Sequence, residues 1–345
     1  MLTTTIGAFP KPGYVPITDW FTREAGRYTE DYLDELAAAG DEAAALLDRA
    51  TAEVIADQVG AGIDIPTDGE IRRENYVHYQ CRHLDGIDFD RLTEVHMRGT
   101  TWAHLPTVTG PIKRRPSPLV QDFTTAQATT DRPVKVTLPG PMTIMDTTVD
   151  DHYHDRPAQA ADLAAAINAE ILDLVAAGAR WIQVDEPLMA RQPDDALAWG
   201  VEQLDACFAG VSDGEATRTI HICCGYPNAL DQTDYPKAPQ SSYHRLASAI
   251  DDAPRIDAVS LEDAHRHNDL ATLLPHFAST TVILGVVAIA DSRVESVDEI
   301  RARLTLAAEH APAGVIAAPD CGLGYLSRPL AVEKLRRLCA AADGL

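Results

Sequence analysis

Short runs rich in β-forming residues alternate with alanine-rich amphipathic stretches along nearly all of this 345-residue chain. The β-rich runs fall at 3–7, 63–68, 134–139, 181–185, 218–224, 257–262, 282–289 and 315–318. Between them, in 41–59, 158–177, 297–310 and 329–342, apolar positions recur at three- and four-residue spacing, the period of a helix with one buried face. Strands that alternate with helices pair in parallel, since a parallel connection is long enough to hold a helix. Eight such units predict an α/β fold, a closed (β/α)8 or TIM barrel. The stretch 81–130 breaks the alternation and carries "GPIKRRPSP", so it is expected to be an excursion inserted between the second and third strands. No repeat, low-complexity tract or clear linker appears, and residues 1–345 read as one domain.

Barrels of this kind place their chemistry at the C-terminal ends of the strands. Those ends read Gly7-Ala8-Phe9-Pro10, Asp68-Gly69-Glu70, Pro139-Gly140-Pro141, Asp185-Glu186-Pro187, His221-Ile222-Cys223, Glu262-Asp263, Ala288-Ile289-Ala290 and Asp320-Cys321-Gly322. Side chains two apart on a strand share a side, so His221 and Cys223 can face one ion while Cys224 faces away. The pair is a weak signal by itself. Glu262 at the next strand end and Cys321 at the last strengthen it, because a closed barrel brings all four to one mouth. One imidazole, two thiolates and a carboxylate suit tetrahedral zinc.

Charge narrows the partners. The formal net charge is -23, and only five of the 29 basic residues are lysine. A field of that sign repels phosphate backbones and argues against nucleic acid. No apolar run approaches the roughly 20 residues that span a bilayer, so no membrane partner is expected. The N-terminus lacks a basic, then apolar, leader pattern, and a cytoplasmic protein is expected. Six scattered cysteines in a reducing compartment read as thiols or metal ligands before disulfides.

The ordered motifs "TTTIGAFPKP", "DGE", "LPGPMTI", "VDEP", "HIC", "SLE" and "PDCG", from Thr3 to Gly322, resemble the catalytic barrel of the cobalamin-independent methionine synthases. The resemblance implies a methyltransferase in which His221, Cys223, Glu262 and Cys321 bind zinc and activate the thiol of homocysteine. It also implies that Glu70 and Asp185 meet the substrate ammonium, near Gly7 and Ala8. Ion pairing of these acids with Arg72 or Arg73 is the plainer alternative. The chemistry accounts for a metal, because a free thiol with a pKa near ~8.5 is mostly protonated at neutral pH and coordination makes it a thiolate.

Three departures bear on the substrates. The family's first motif usually carries a serine that helps bind the substrate carboxylate, where this chain has Ala8. The tryptophan expected to stack on a folate and the histidine expected to protonate it correspond to Thr147 and Ala290. A tertiary amine leaves poorly unless protonated, so the methyl donor is expected to differ from methyltetrahydrofolate polyglutamate. The pattern is similar to short, single-barrel core synthases, some of which accept the methyl group from a corrinoid protein or another carrier. Asp146, Asp150, Asp151, His152 and His154 follow the third strand and are read mainly as a solvated loop. His265 and His267 compete weakly as ligands. Alkyl transfer to another thiol, as in epoxyalkane:coenzyme M transferases, and a silent thiol- or carrier-binding barrel remain as alternatives.

Overall fold

The computed structural model describes residues 1–21, 28–97, 101–225, 227 and 229–345. In chain order the strands are β1 (Leu84–Met97), β2 (Thr101–Arg114), β3 (Lys135–Pro139), β4 (Val149–Asp150), β5 (Trp181–Asp185), β6 (Thr217–Ile222), β7 (Ala258–Glu262), β8 (Thr281–Val287) and β9 (Val315–Pro319). Six of them, in the order β3-β5-β6-β7-β8-β9, form one parallel sheet. The first two β-rich runs contribute only isolated parallel bridges, Thr3 to Ala317, Thr4 to Ile65 and Thr67 to Lys135. These bridges link β9 to β3 through the two short segments, so the predicted strands at 3–7 and 63–68 are present as single contacts.

Alternation along the strands gives the sheet two faces. Val259, Leu261, Val282, Leu284 and Ala317 join the large core under the helices. Ile6, Ala258, Ile283, Ile316 and Ala318, with half-buried Trp181, form a small cluster on the other face. Above it along the strands come Thr137, Gln183, Thr219 and Ser260, all fully buried. The next positions up are Asp185, His221 and Glu262. The inner face thus runs from apolar to polar to ionisable toward the strand ends.

The helices that cover the outer face match the periodic stretches. Helix Val297–His310 starts at a capping box in which Ser296 and Glu299 satisfy each other's backbone N–H groups. Helix Ala43–Ala61 stops at Gly62, whose φ of +108° suits the left-handed residue after a helix end. Among the described residues no helix is long and apolar enough to cross a membrane.

The excursion has more structure than its sequence suggested. β1 and β2 pair as a long antiparallel hairpin, and β2 also pairs in parallel with the short β4. Two register shifts, between Asp85 and Ile87 and between Asp88 and Leu92, interrupt the hairpin. Each shift resets the two-residue alternation and hides the strand from a periodicity reading.

Candidate active site

The ends of β6, β7 and β9 bring sulfur and nitrogen together. Ligand atoms of His221, Cys223 and Cys321 all lie within 4.8 Å of one another. His221 Nε2 is 3.3 Å from Cys321 Sγ, and its Nδ1 is 2.9 Å from Ser260 Oγ, a buried partner that fixes the ring. Glu262 joins the group through Cys223, with Oε1 2.9 Å from Sγ. β6 ends at Ile222, so Cys223 and Cys224 both lie just past the strand, not on it. The two sulfurs nevertheless part company: Cys223 turns to the cluster, while Cys224 is buried in the core.

Electrostatics within the cluster concentrate charge on one sulfur. Hydrogen bonds from Cys321 and His221 hold the Cys223 thiol well below the ordinary cysteine value. The same contact with Cys223, together with burial, pushes Cys321 up. Burial and the Cys223 charge raise Glu262, whose Oε1 accepts from the Cys223 sulfur. Two soft sulfurs, an imidazole and an adjoining carboxyl gathered this closely are a donor set that fits zinc.

The framework around the cluster was not visible in the motifs. Tyr243, from helix Ser241–Asp251, donates its hydroxyl to Ile222 O at 2.8 Å and accepts from Glu262 N at 3.1 Å. It bridges β6 and β7 where their ladder ends. Asp320 accepts from the backbone N–H groups of Asp263, Ala264 and His265 at 3.0, 2.9 and 2.7 Å. That clasp ties the residue before Cys321 to the turn after Glu262. From outside, Arg303 grips both carboxylate oxygens of Asp263 at 2.7 Å.

A second group of residues lies at the end of the first segments. Glu70 adopts a left-handed φ of +56° and accepts from Thr137 Oγ1 at 3.0 Å. Its Oε1 would lie 2.7 Å from a Cβ at position 7, which is why Gly7 has no side chain. Arg73 stands between Asp68 and Glu70, at 3.5 and 3.7 Å, whereas Arg72 pairs with Asp48 and Asp122. Asp185 is held by Gln183 Nε2 at 2.7 Å. Burial, then the charge of Glu70, pushes Asp185 well above the carboxylate range, and burial raises Glu70 as well. Two acids that strain against each other's ionisation invite a cation between them.

A cleft lined by Ala8, Phe9, Lys11, Phe21, Glu70 and Arg73, among others, opens here, and Tyr76 lines it too. Burial raises the Tyr76 phenol, as do the charges of Asp185, Cys321, Glu70 and Cys223. Its hydroxyl is thus within electrostatic reach of both groups. Neither Tyr76 nor Lys11 stood out in the sequence, since a tyrosine opening a helix and a lone lysine after Pro10 carry no spacing signal.

On the remaining side of the mouth, Thr147 turns its hydroxyl back to Thr143 O at 2.9 Å, and its carbonyl accepts from buried His78 at 3.2 Å. Ala290 is buried, and its carbonyl accepts from Asp231 N. Neither offers an aromatic face or a titratable proton. His152 and His154 are exposed. His265 accepts from Ile289 N at 3.1 Å and is depressed to about 4 by burial, His267 is exposed, and neither is in the group of ligand atoms formed by His221, Cys223 and Cys321.

A parallel α/β barrel with a thiol–imidazole cluster and a pair of buried acids at one mouth has the makings of an enzyme that handles a thiol. The pattern of the cobalamin-independent synthase catalytic domain matches residues 1–344. Methionine synthase of Saccharolobus solfataricus is 30% identical over 337 residues, 96% of this chain and 91% of that protein. The methionine synthase of Sulfolobus acidocaldarius is also 30% identical, over 335 residues. A solved B12-independent methionine synthase from Shewanella sp. W3-18-1, in complex with selenomethionine, superposes with a TM-score of 0.84 at 30% identity, covering 99% of this chain and 96% of that one. The chain belongs to the cobalamin-independent methionine synthase family and is a methyltransferase of that type.

Proposed function

We propose that this chain methylates the sulfur of homocysteine to give methionine, with zinc held by His221, Cys223, Cys321 and Glu262. One observation carries the reading: the cluster of sulfur and nitrogen donors and the buried acids Glu70 and Asp185 lie at strand ends on one mouth, and Tyr76 feels the charges of both groups. The arrangement suits a molecule with a thiol at one end and an ammonium at the other. The Shewanella relative was solved with selenomethionine, a selenium analogue of the expected product.

Each part has a task. Zinc bound here would supply the positive charge that keeps a substrate thiol deprotonated at neutral pH. Ser260 holds the His221 ring, and Tyr243 and Asp320 keep the ends of β6, β7 and β9 in register. Glu70 and Asp185 take the substrate ammonium, which relieves their mutual repulsion and fixes the sulfur's direction. A sulfur lone pair then forms the bond to the methyl carbon as the bond from that carbon to its carrier breaks, and the carrier keeps the electron pair.

The donor is read from Thr147 and Ala290, which offer neither a stacking face nor an acid. We take it to be a methyl carrier whose leaving group departs without protonation from these positions. Expression in a methionine auxotroph lacking other synthases is expected to restore growth. Purified protein is then supplied with methyl-folate, methylcobamide or methylated small molecules, and methionine is measured. No growth, and no methionine from any donor, would remove the proposal.

A further inference from the structure

The cleft beside Glu70 holds a cation with an N–H group to spare for a carboxylate. Lys11 lines this cleft together with Ala8, Glu70, Arg73 and Tyr76. Its ammonium donates to Arg73 O at 2.6 Å and lies 3.6 Å from Asp19 Oδ2. An ammonium has three N–H groups, so a donor is left for a ligand. Arg73, the other cation of the cleft, is committed to Thr137 O and Oγ1, both at 2.9 Å, and lies between Asp68 and Glu70.

Lys11 is held in place for the task. Its side chain is only 10% exposed, so an incoming anion meets a cation already largely stripped of water. Burial lowers its pKa, while Asp19, Glu74 and Glu70 work to keep the charge. A carboxylate arriving beside it adds to that support. Glu70 carries the opposite charge on the same cleft, so the lining is complementary to a group bearing both signs.

We propose that Lys11 binds the α-carboxylate of the substrate while Glu70 binds its ammonium, making this cleft a recognition site for an amino-acid zwitterion. The inference rests on the homocysteine reading above and adds the residue that separates an amino acid from a simple aminothiol.

Calorimetric titration of the purified full chain with L-homocysteine and with its decarboxylated analogue, aminopropanethiol, tests it. Wild type is expected to bind homocysteine more tightly than the analogue. Lys11→Met should weaken homocysteine on the order of 10- to 100-fold, the scale of a charge-assisted hydrogen bond, and leave the analogue unchanged. Unchanged binding of the analogue also reports that the variant is folded. Lys11→Arg should recover most of the lost preference. Equal weakening of both ligands by Lys11→Met, or weakening of neither, overturns the assignment to Lys11 while leaving the homocysteine reading intact. If wild type binds neither thiol, the homocysteine reading falls and takes this inference with it.

Discussion

The sulfur side of the mouth and the side proposed to take the amino-acid group are built from different materials. His221 and Glu262 stand at the ends of full strands and Cys223 just past one, and hydroxyls and backbone amides from Ser260, Tyr243 and the Asp263–His265 turn hold the framework together. Glu70 stands after segments that contribute only isolated bridges, in a left-handed turn, among Arg73, Asp68 and Lys11. Metal coordination tolerates little error in angle and distance, and the proposed ligands sit where hydrogen bonds over-determine the backbone. A zwitterion would be recognised by the sum of nearby charges, and the half of the mouth proposed for it is built on ion pairs instead.

The comparison breaks most completely if the sulfurs are removed. Cys223→Ser combined with Cys321→Ser should abolish stoichiometric zinc and lower kcat/KM by at least about 10²- to 10³-fold, the scale of losing a main electrostatic stabiliser. Binding of the substrate ammonium at Glu70 and Asp185 should survive, which calorimetry with an amino acid lacking a thiol would detect. Full zinc occupancy in the double variant, by elemental analysis, would refute the ligand assignment.

A more selective test loosens the sulfur side without touching a donor atom. Asp320 offers two oxygens to three N–H groups, and Asp320→Asn turns one oxygen into an NH2 that faces a donor. Zinc affinity, read by chelator competition, should fall about 10- to 100-fold, the usual cost of losing an outer partner of a metal site. Unaltered zinc affinity with a lowered melting temperature would mean that the clasp serves the fold alone.

The smallest expected effect concerns the inner face beneath both halves. Lys135 is fully buried, and its Nζ has no hydrogen-bond partner among the described residues. Burial lowers it from 10.5 to about 7, with the charge of Asp185 opposing. Between those two values the unfolded chain binds more protons than the folded one, so this lysine's contribution to stability improves as pH rises from about 7 toward 10. Below pH 7 the full cost of a buried charge is felt. Lys135→Met should remove that dependence, and melting curves across the range should be flatter for the variant than for wild type. Parallel curves would show that Lys135 finds its compensation elsewhere.

How much of this was legible depended on whether a residue's role was carried by its own strand. The regular period of β3 and β5 to β9 exposed the parallel sheet, and the polar residues at the strand ends follow directly from it. His221, Cys223, Glu262 and Cys321 could be named because each ends a strand or follows one. Tyr243, Lys11 and Tyr76 act from helices and loops, where position along the chain does not reveal direction. Cys223 and Cys224 were separated for a reason that needs amending: both lie past β6, and it is packing around the turn that sends one sulfur to the cluster and the other to the core. The hairpin of β1 and β2 was hidden by its register shifts.

That hairpin also has a bearing on the loop beside it. The loop that follows β3, with Asp150 and its exposed histidines, is joined through β4 to β2 and not to the parallel sheet. A change in the hairpin's length or twist would re-aim that loop while β6, β7 and β9 keep their register. Revising this appendage would reshape one side of the mouth and leave untouched the strand ends that carry the sulfur cluster.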